Sequence, residues 1–183
     1  DFTAARVRGP FAANDLKAKG AKFNYSSFEN VANIDHIELD RIPDFRQSQF
    51  SRPPDVSRIL FPEPGLRVNS LLDWRQTSAT KRYFFLFSTA VNKDDVQKLR
   101  KLKAMALAAN DHEKDGEFFA YEMMAKRGVE HTTFWQLLFN TIYLKVSFYG
   151  QSYLRPLAWL GASFATLAAI YSLMAALPTG GWQ

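Results

Sequence analysis

Large apolar residues recur at alternating steps of five and six through the first third of the chain. Four eleven-residue copies align without gaps: KFNYSSFENVA from Lys22, NIDHIELDRIP from Asn33, DFRQSQFSRPP from Asp44 and DVSRILFPEPG from Asp55. Their second places are Phe23, Ile34, Phe45 and Val56; their seventh places are Phe28, Leu39, Phe50 and Phe61. An amphipathic helix would space such residues by three and four. Steps of five and six suit a chain that turns a corner at each step and points one large residue inward per side. These eight residues are therefore the expected core of a β-solenoid whose short strands cover one another. Ala21, Ser26, Ala32 and Ser48 supply small side chains between the large ones. Pro43, Pro53, Pro54, Pro62 and Pro64 offer no N–H to a sheet ladder and read as corners, edges and the end of the stack.

The pattern changes after residue 64. Residues 65–91 break the repeat and read as a cap or linker, with the aromatic run Arg82–Phe87 as a strand over the open end of the stack. Residues 92–128 read as a helical pair. Asn92 is a candidate N-cap, Asp94 and Asp95 occupy the first turn, and Leu99, Leu102, Ala106 and Ala109 form one stripe. Asn110 and Asp111 break the pattern. A second helix runs to Arg127 with Gly128 as its stop, Phe118, Tyr121 and Ala125 on one face, and Glu122 and Lys126 in the favourable order four apart.

Residues 129–156 hold an interfacial amphipathic helix and a junction. Phe134, Trp135, Leu137, Leu138, Phe139, Ile142 and Tyr143 make Thr132–Phe148 strongly apolar, but Gln136, Asn140 and Lys145 interrupt it. It suits a helix lying in the interface or packed on protein better than a span. Leu157–Leu177 carries no charge over 21 residues. As a helix it would be roughly 31 Å long, close to a hydrocarbon core of about 30 Å. It is the expected transmembrane helix, followed by a short tail at 178–183. Gly161, Ala165, Ala169 and Ser172 line up small residues on one side, the expected face for packing another helix. Trp135, Lys145, Arg155, Trp159 and Trp182 are the expected anchors at the two interfaces. Lys126, Arg127, Lys145 and Arg155 precede the span and no cation follows Leu177, which sets the N-terminal bulk in the cytoplasm and Gln183 across the membrane.

Composition narrows the chemistry. The net charge is +5 and the pI about 9.5, which suits an anionic membrane surface and counts against an acidic mimic of nucleic acid. There is no cysteine, so disulfides, thiolate zinc sites and a cysteine nucleophile are excluded. His36, His112 and His131 stand far apart with no carboxylate at metal-ligand spacing. No phosphate-binding glycine loop, nucleophile elbow or HExxH helix occurs. Asp111, Glu113, Asp115 and Glu117 lack the glycine and terminal Glu spacing of a calcium loop. The basic run Lys98, Arg100, Lys101 and Lys103 reads either as a solvated helix face or as a contact for anionic headgroups or an acidic partner. No nucleic-acid recognition signature accompanies it. The chain opens on Asp1 with repeat-like spacing already running at Phe2 and Val7, as expected of a fragment or a processed form.

The units FNYSSF from Phe23 and FRQSQF from Phe45 resemble the pentapeptide-repeat family, in the variant that alternates F-x-x-[AS]-x-F with six-residue steps. The resemblance implies a right-handed quadrilateral β-helix; His36, Ile37, Ile59 and the prolines depart from its pattern. The string LRKLKAMALAANDHEKDGEFFAYEMMAKRG from Leu99 is similar to the helical segment of a bacterial, membrane-anchored group of that family, and Tyr149, Gly150 and the Arg155-Pro156-Leu157 junction fit the same group. Likeness then spans nearly the whole chain apart from Gly65–Val91. Taken with the apolar span and the lack of any motif for chemistry, the expectation is a non-enzymatic scaffold or accessory subunit of the bacterial inner membrane, with no cofactor, no metal and no nucleic acid, in contact with lipids and other membrane subunits and with self-association left open. The alternative is the regulatory portion of a channel or transporter whose further spans follow residue 183.

Overall fold

A computed structural model describes residues 1–68, 87–131 and 133–176 of the chain. The repeat stretch forms two parallel sheets. One joins β1 (Arg6–Val7), β3 (Ser27–Phe28) and β5 (Gln49–Phe50) in that order; the other joins β2 (Phe11–Ala18), β4 (Ala32–Leu39) and β6 (Ile59–Leu60). Partners lie 21 residues apart at the first step (Arg6 with Ser27, Phe11 with Ala32) and 22 at the second (Ser27 with Gln49, Ile37 with Ile59). The pairing step is thus about twice the period legible in the sequence.

Parallel strands lie about 4.7–4.9 Å apart, and aromatic residues in register must stack at that spacing. Phe23 and Phe45 stack with centroids 4.7 Å apart and planes 2° from parallel; Phe28 and Phe50 stack at 4.9 Å and 5°. Ser48 Oγ closes the turn between such rings by donating to the Phe45 carbonyl at 2.7 Å, and Ser26 does the same to Phe23. The residue before each serine is left-handed: Tyr25 has φ 57° and Gln47 φ 56°. Of the expected core, Phe23, Phe28, Ile34, Leu39, Phe45 and Val56 are buried, while Phe50 and Phe61 are partly buried against it.

The expectation of a β-solenoid, a right-handed quadrilateral β-helix, is corrected here. The described residues form four helices and small sheets of two or three strands, one of them antiparallel, which is a mixed α/β fold. Strand length is the physical reason. β1, β3, β5 and β6 are two residues each, and the prolines at 53, 54, 62 and 64 withhold the N–H groups that would extend the ladders. Helices then close the core. α1 (Asp95–Ala108) buries Val96, Leu99, Leu102, Met105 and Ala106; α2 (His112–Ala125) buries Phe118, Ala120, Glu122, Met124 and Ala125. Phe61 stacks on Phe118 at 5.7 Å, and Lys101 Nζ donates to the Ser48 carbonyl at 2.9 Å, so the helices seat directly on the sheets.

The helix ends follow local chemistry. Asp94, not Asn92, is the N-cap of α1; Asn92 accepts from the Asp94 N–H at 3.1 Å one step earlier. Asp111 caps α2 by accepting from the Lys114 N–H at 3.0 Å. Gly128 lies beyond the end of α2 at φ +76°, where an added Cβ would sit 2.7 Å from the Thr89 side chain. Both the left-handed backbone and the close approach require glycine there. The segment expected as a cap contributes β7 (Leu66–Val68), which pairs antiparallel with β8 (Ser88–Ala90). Of the expected strand Arg82–Phe87, only Phe87 lies within the described residues; it is buried just before β8.

Candidate membrane-anchoring site

α3 (Phe134–Ser147) and α4 (Leu154–Ala176) leave the body from α2 and β8. A buried polar hub sets that exit. Arg127 is 1% exposed and lies just past the end of α2. Its Nε donates to the Ser88 carbonyl at 3.0 Å, one terminal nitrogen to Asn140 Oδ1 at 3.1 Å and the other to Thr141 Oγ1 at 2.8 Å. Burying a cation is costly unless its N–H groups are matched, and here each nitrogen has a neutral acceptor. Asn140 in turn donates to the Met123 carbonyl at 3.4 Å and lies 3.3 Å from His131 Nδ1. Burial, followed by the charge of Lys126, pushes the His131 pKa down, so its neutral ring accepts from the Asn140 amide. Tyr149 is buried and donates to Asn140 Oδ1. Burial raises its pKa despite the opposing influence of Arg127, which keeps the hydroxyl protonated as a donor. The hub thereby fastens α2, β8, α3 and the turn after α3 to one another.

α3 has two faces. Leu137 and Asn140 are buried against the body. Trp135, Phe139, Ile142 and Tyr143 share the opposite stripe and are exposed, Trp135 at 62%. Both of the alternatives expected of this segment, packing on protein and lying in an interface, thus have a face to serve them. The turn to α4 is tight. Phe148, Tyr149 and Gly150 follow one another at φ 49°, 55° and 89°, and the Gly150 N–H donates to Ser147 Oγ at 3.1 Å. Arg155 lies over the Phe148 ring, 4.9 Å from its centroid.

α4 takes Leu154, Arg155 and Pro156 into its first turn and so begins three residues before the expected span. Over Leu154–Ala175 it is long and apolar enough to cross a membrane, and none of that window is buried inside the fold. Its serine and threonine hydroxyls need no outside partner: Ser163, Thr166 and Ser172 each donate to the carbonyl four residues back at 2.8 Å. Gly161, Ala165, Ala169 and Ser172 are all exposed, and space beside Gly161 is open. Of the expected anchors, Lys145, Arg155 and Trp159 are exposed near the α3–α4 junction, Trp135 is exposed at the far end of α3, and Trp182 lies outside the described residues.

The basic run on α1 is engaged by partners within the fold. Lys98 pairs with Asp95 at 3.0 Å, Arg100 with Glu122 at 3.0 Å and Glu130 at 2.6 Å, and Lys103 with Glu122 at 2.6 Å; Lys101 is held by Ser48. Glu122 is 2% exposed and takes a third cation, Lys126, at 2.6 Å. The sequence hinted at Glu122 only through its place four residues before Lys126; Arg100 and Lys103 reach it from the other helix. A cleft of about 600 Å³ sets Lys19, Lys22, Arg41 and Lys98 against Asp1, Asp40 and Asp44, a mixture that favours neither sign of ligand. Among the described residues, no group of three or more His, Asp or Glu is arranged to hold a metal ion.

Among the described residues the arrangement is a mixed α/β body carrying one apolar helix long enough to span a bilayer. No family model, no curated protein and no solved structure matches the chain.

Proposed function

We propose that this protein is a non-enzymatic, membrane-anchored scaffold or accessory subunit. α4 crosses the membrane, the apolar stripe of α3 rests at its surface, and the α/β body docks on a larger membrane complex. The single observation that carries the reading is α4, with 23 residues and none of its apolar window covered by the rest of the chain. In water such a helix would expose an apolar patch far larger than soluble monomers tolerate. In lipid the same surface is matched to its solvent. The placement of Lys126, Arg127, Lys145 and Arg155 before the span argues for a cytoplasmic body, and the likeness of the Leu99–Gly128 string argues for a bacterial inner membrane. The non-enzymatic reading draws support from how buried ionisable groups are used. Glu122, Arg127 and Asp44 are each tied to protein partners, which commits them to holding the fold.

Extraction of the native protein in a mild detergent, followed by sizing and mass spectrometry of co-migrating proteins, tests this role. A stable large complex containing other membrane subunits is the expected result. A lone monomer would overturn the accessory-subunit reading.

A further inference from the structure

We propose that the α3–α4 junction binds the headgroup of an anionic phospholipid, with Lys145 and Arg155 as its ligands and the first turns of α4 as the seat for the lipid's chain. The inference rests on the membrane-anchoring reading and adds a lipid class to it.

Charge is the first observation. From His131 to Gln183 the chain contains no Asp or Glu, and Lys145 and Arg155 are its only Lys or Arg. The cations of α1, of α2 and of the two residues after α2 are engaged: Lys98, Arg100, Lys103, Lys114 and Lys126 in ion pairs, Lys101 and Arg127 by backbone and neutral side-chain oxygens. Lys145 and Arg155 are exposed, and neither side chain meets a carboxylate among the described residues. They sit at the last turn of α3 and the first turn of α4, on either side of the turn that joins the two helices.

Shape is the second. Arg155, Ala158, Trp159 and Ala162 line a shallow, open depression along one face of α4. Its wall is almost wholly apolar, and the small side chains of Ala158 and Ala162 leave a groove along α4. A cation at the head of an apolar groove matches a molecule with an anionic head and a hydrocarbon tail. Free phosphate would leave the groove unfilled. Arg155 is held in place by the Phe148 ring, and a guanidinium presents paired N–H donors suited to phosphate oxygens. Lys145 adds a second, mobile charge. Trp159, 55% exposed, borders the groove one turn beyond Arg155, and indole rings favour the membrane interface.

The test uses Trp159 as reporter. With Trp74, Trp135 and Trp182 replaced by Phe, the chain is reconstituted into phosphatidylcholine vesicles carrying a minor fraction of brominated lipid. That lipid is either phosphatidylglycerol or phosphatidylcholine. A basic residue near an anionic surface contributes about 1 kcal/mol, roughly fivefold in local occupancy. The brominated anionic lipid should therefore quench Trp159 about two- to fivefold more effectively than its neutral counterpart. Lys145→Gln with Arg155→Gln should bring the two to equality, and raised salt should narrow the gap. Equal quenching by both lipids in the parent protein overturns the headgroup proposal while leaving the anchor standing. Absence of quenching by either lipid overturns the anchor as well. Native mass spectrometry of the unsubstituted chain makes the same comparison without the Trp replacements. Retention of phosphatidylglycerol no better than phosphatidylcholine would count against the site.

Discussion

Phe45→Asp is expected to unfold the parallel-sheet half of the body and open it to protease. Phe45 is 1% exposed and sits between two rings, stacked on Phe23 and tilted against Phe50 with centroids 6.1 Å apart. Truncating a buried Phe to Ala costs about 3–5 kcal/mol. Aspartate adds a carboxylate with no cation in the ring stack, and burial without a partner is a further penalty of several kcal/mol. Their sum rivals the whole stability of an ordinary domain, roughly 5–15 kcal/mol. Limited proteolysis and thermal melting read the effect. Phe45→Ala provides the graded version, with a lowered but cooperative transition. Protease resistance unchanged in Phe45→Asp would show that the ring does not point into the core.

The second large effect is at Glu122. Burial pushes its pKa up, but hydrogen bonds from Lys103, Lys126 and Arg100 outweigh burial and hold the carboxylate below its ordinary value of 4.5. A depressed carboxylate pKa adds stability that is present above the unfolded value and lost as pH falls through the folded one. The melting temperature should therefore hold steady near neutrality and fall increasingly below about pH 4.5. Asp44 and Asp55, also held low, contribute to the same acid window. Glu122→Gln leaves three cations facing a neutral amide. Breaking a buried pair costs about 3–5 kcal/mol. The low end of that range, about 3 kcal/mol, is expected because Arg100 and Lys103 can turn partly to water. The variant should also lose part of the acid-induced drop, since the titrating group is gone. A variant as stable as the parent, with the same acid profile, would remove Glu122 from the account of how α1 and α2 are held together.

Much of this architecture is legible in the residues, and the failures have physical causes. The spacing of Phe23, Phe28, Phe45 and Phe50 marks residues that lie together in the core, because in-register rings must follow strand spacing. The same spacing misleads about fold class. A period of eleven says which residues face inward but not how long each strand runs, and two-residue strands interrupted by prolines leave the core to be closed by helices. The break at Asn110–Asp111 reads correctly as the gap between α1 and α2, since an Asp side chain caps the helix on its C-terminal side. The basic run Lys98–Lys103 is ambiguous in sequence because the acceptors of Arg100, Lys101 and Lys103, which are Glu122, Glu130 and the Ser48 carbonyl, lie 19 to 53 residues away. The hub of Arg127, Asn140 and Tyr149 is invisible for the same reason. Asn140 looks like an interruption of an apolar stretch, and Arg127 and Tyr149 lie outside it, until the fold brings the three to one point. α4 is the simplest case, because charge-free length alone sets its character.

The absence of cysteine from the chain permits a direct measurement of whether α4 enters the membrane. Single cysteines are placed at Gln49, exposed on β5, and at Ala165, midway along α4. Inverted membrane vesicles are then treated with a membrane-impermeant maleimide. Gln49→Cys should label readily and Ala165→Cys should stay unlabelled until the bilayer is dissolved in SDS. Equal labelling of the two positions in intact vesicles, or release of the protein from the membrane by an alkaline wash, would contradict the account.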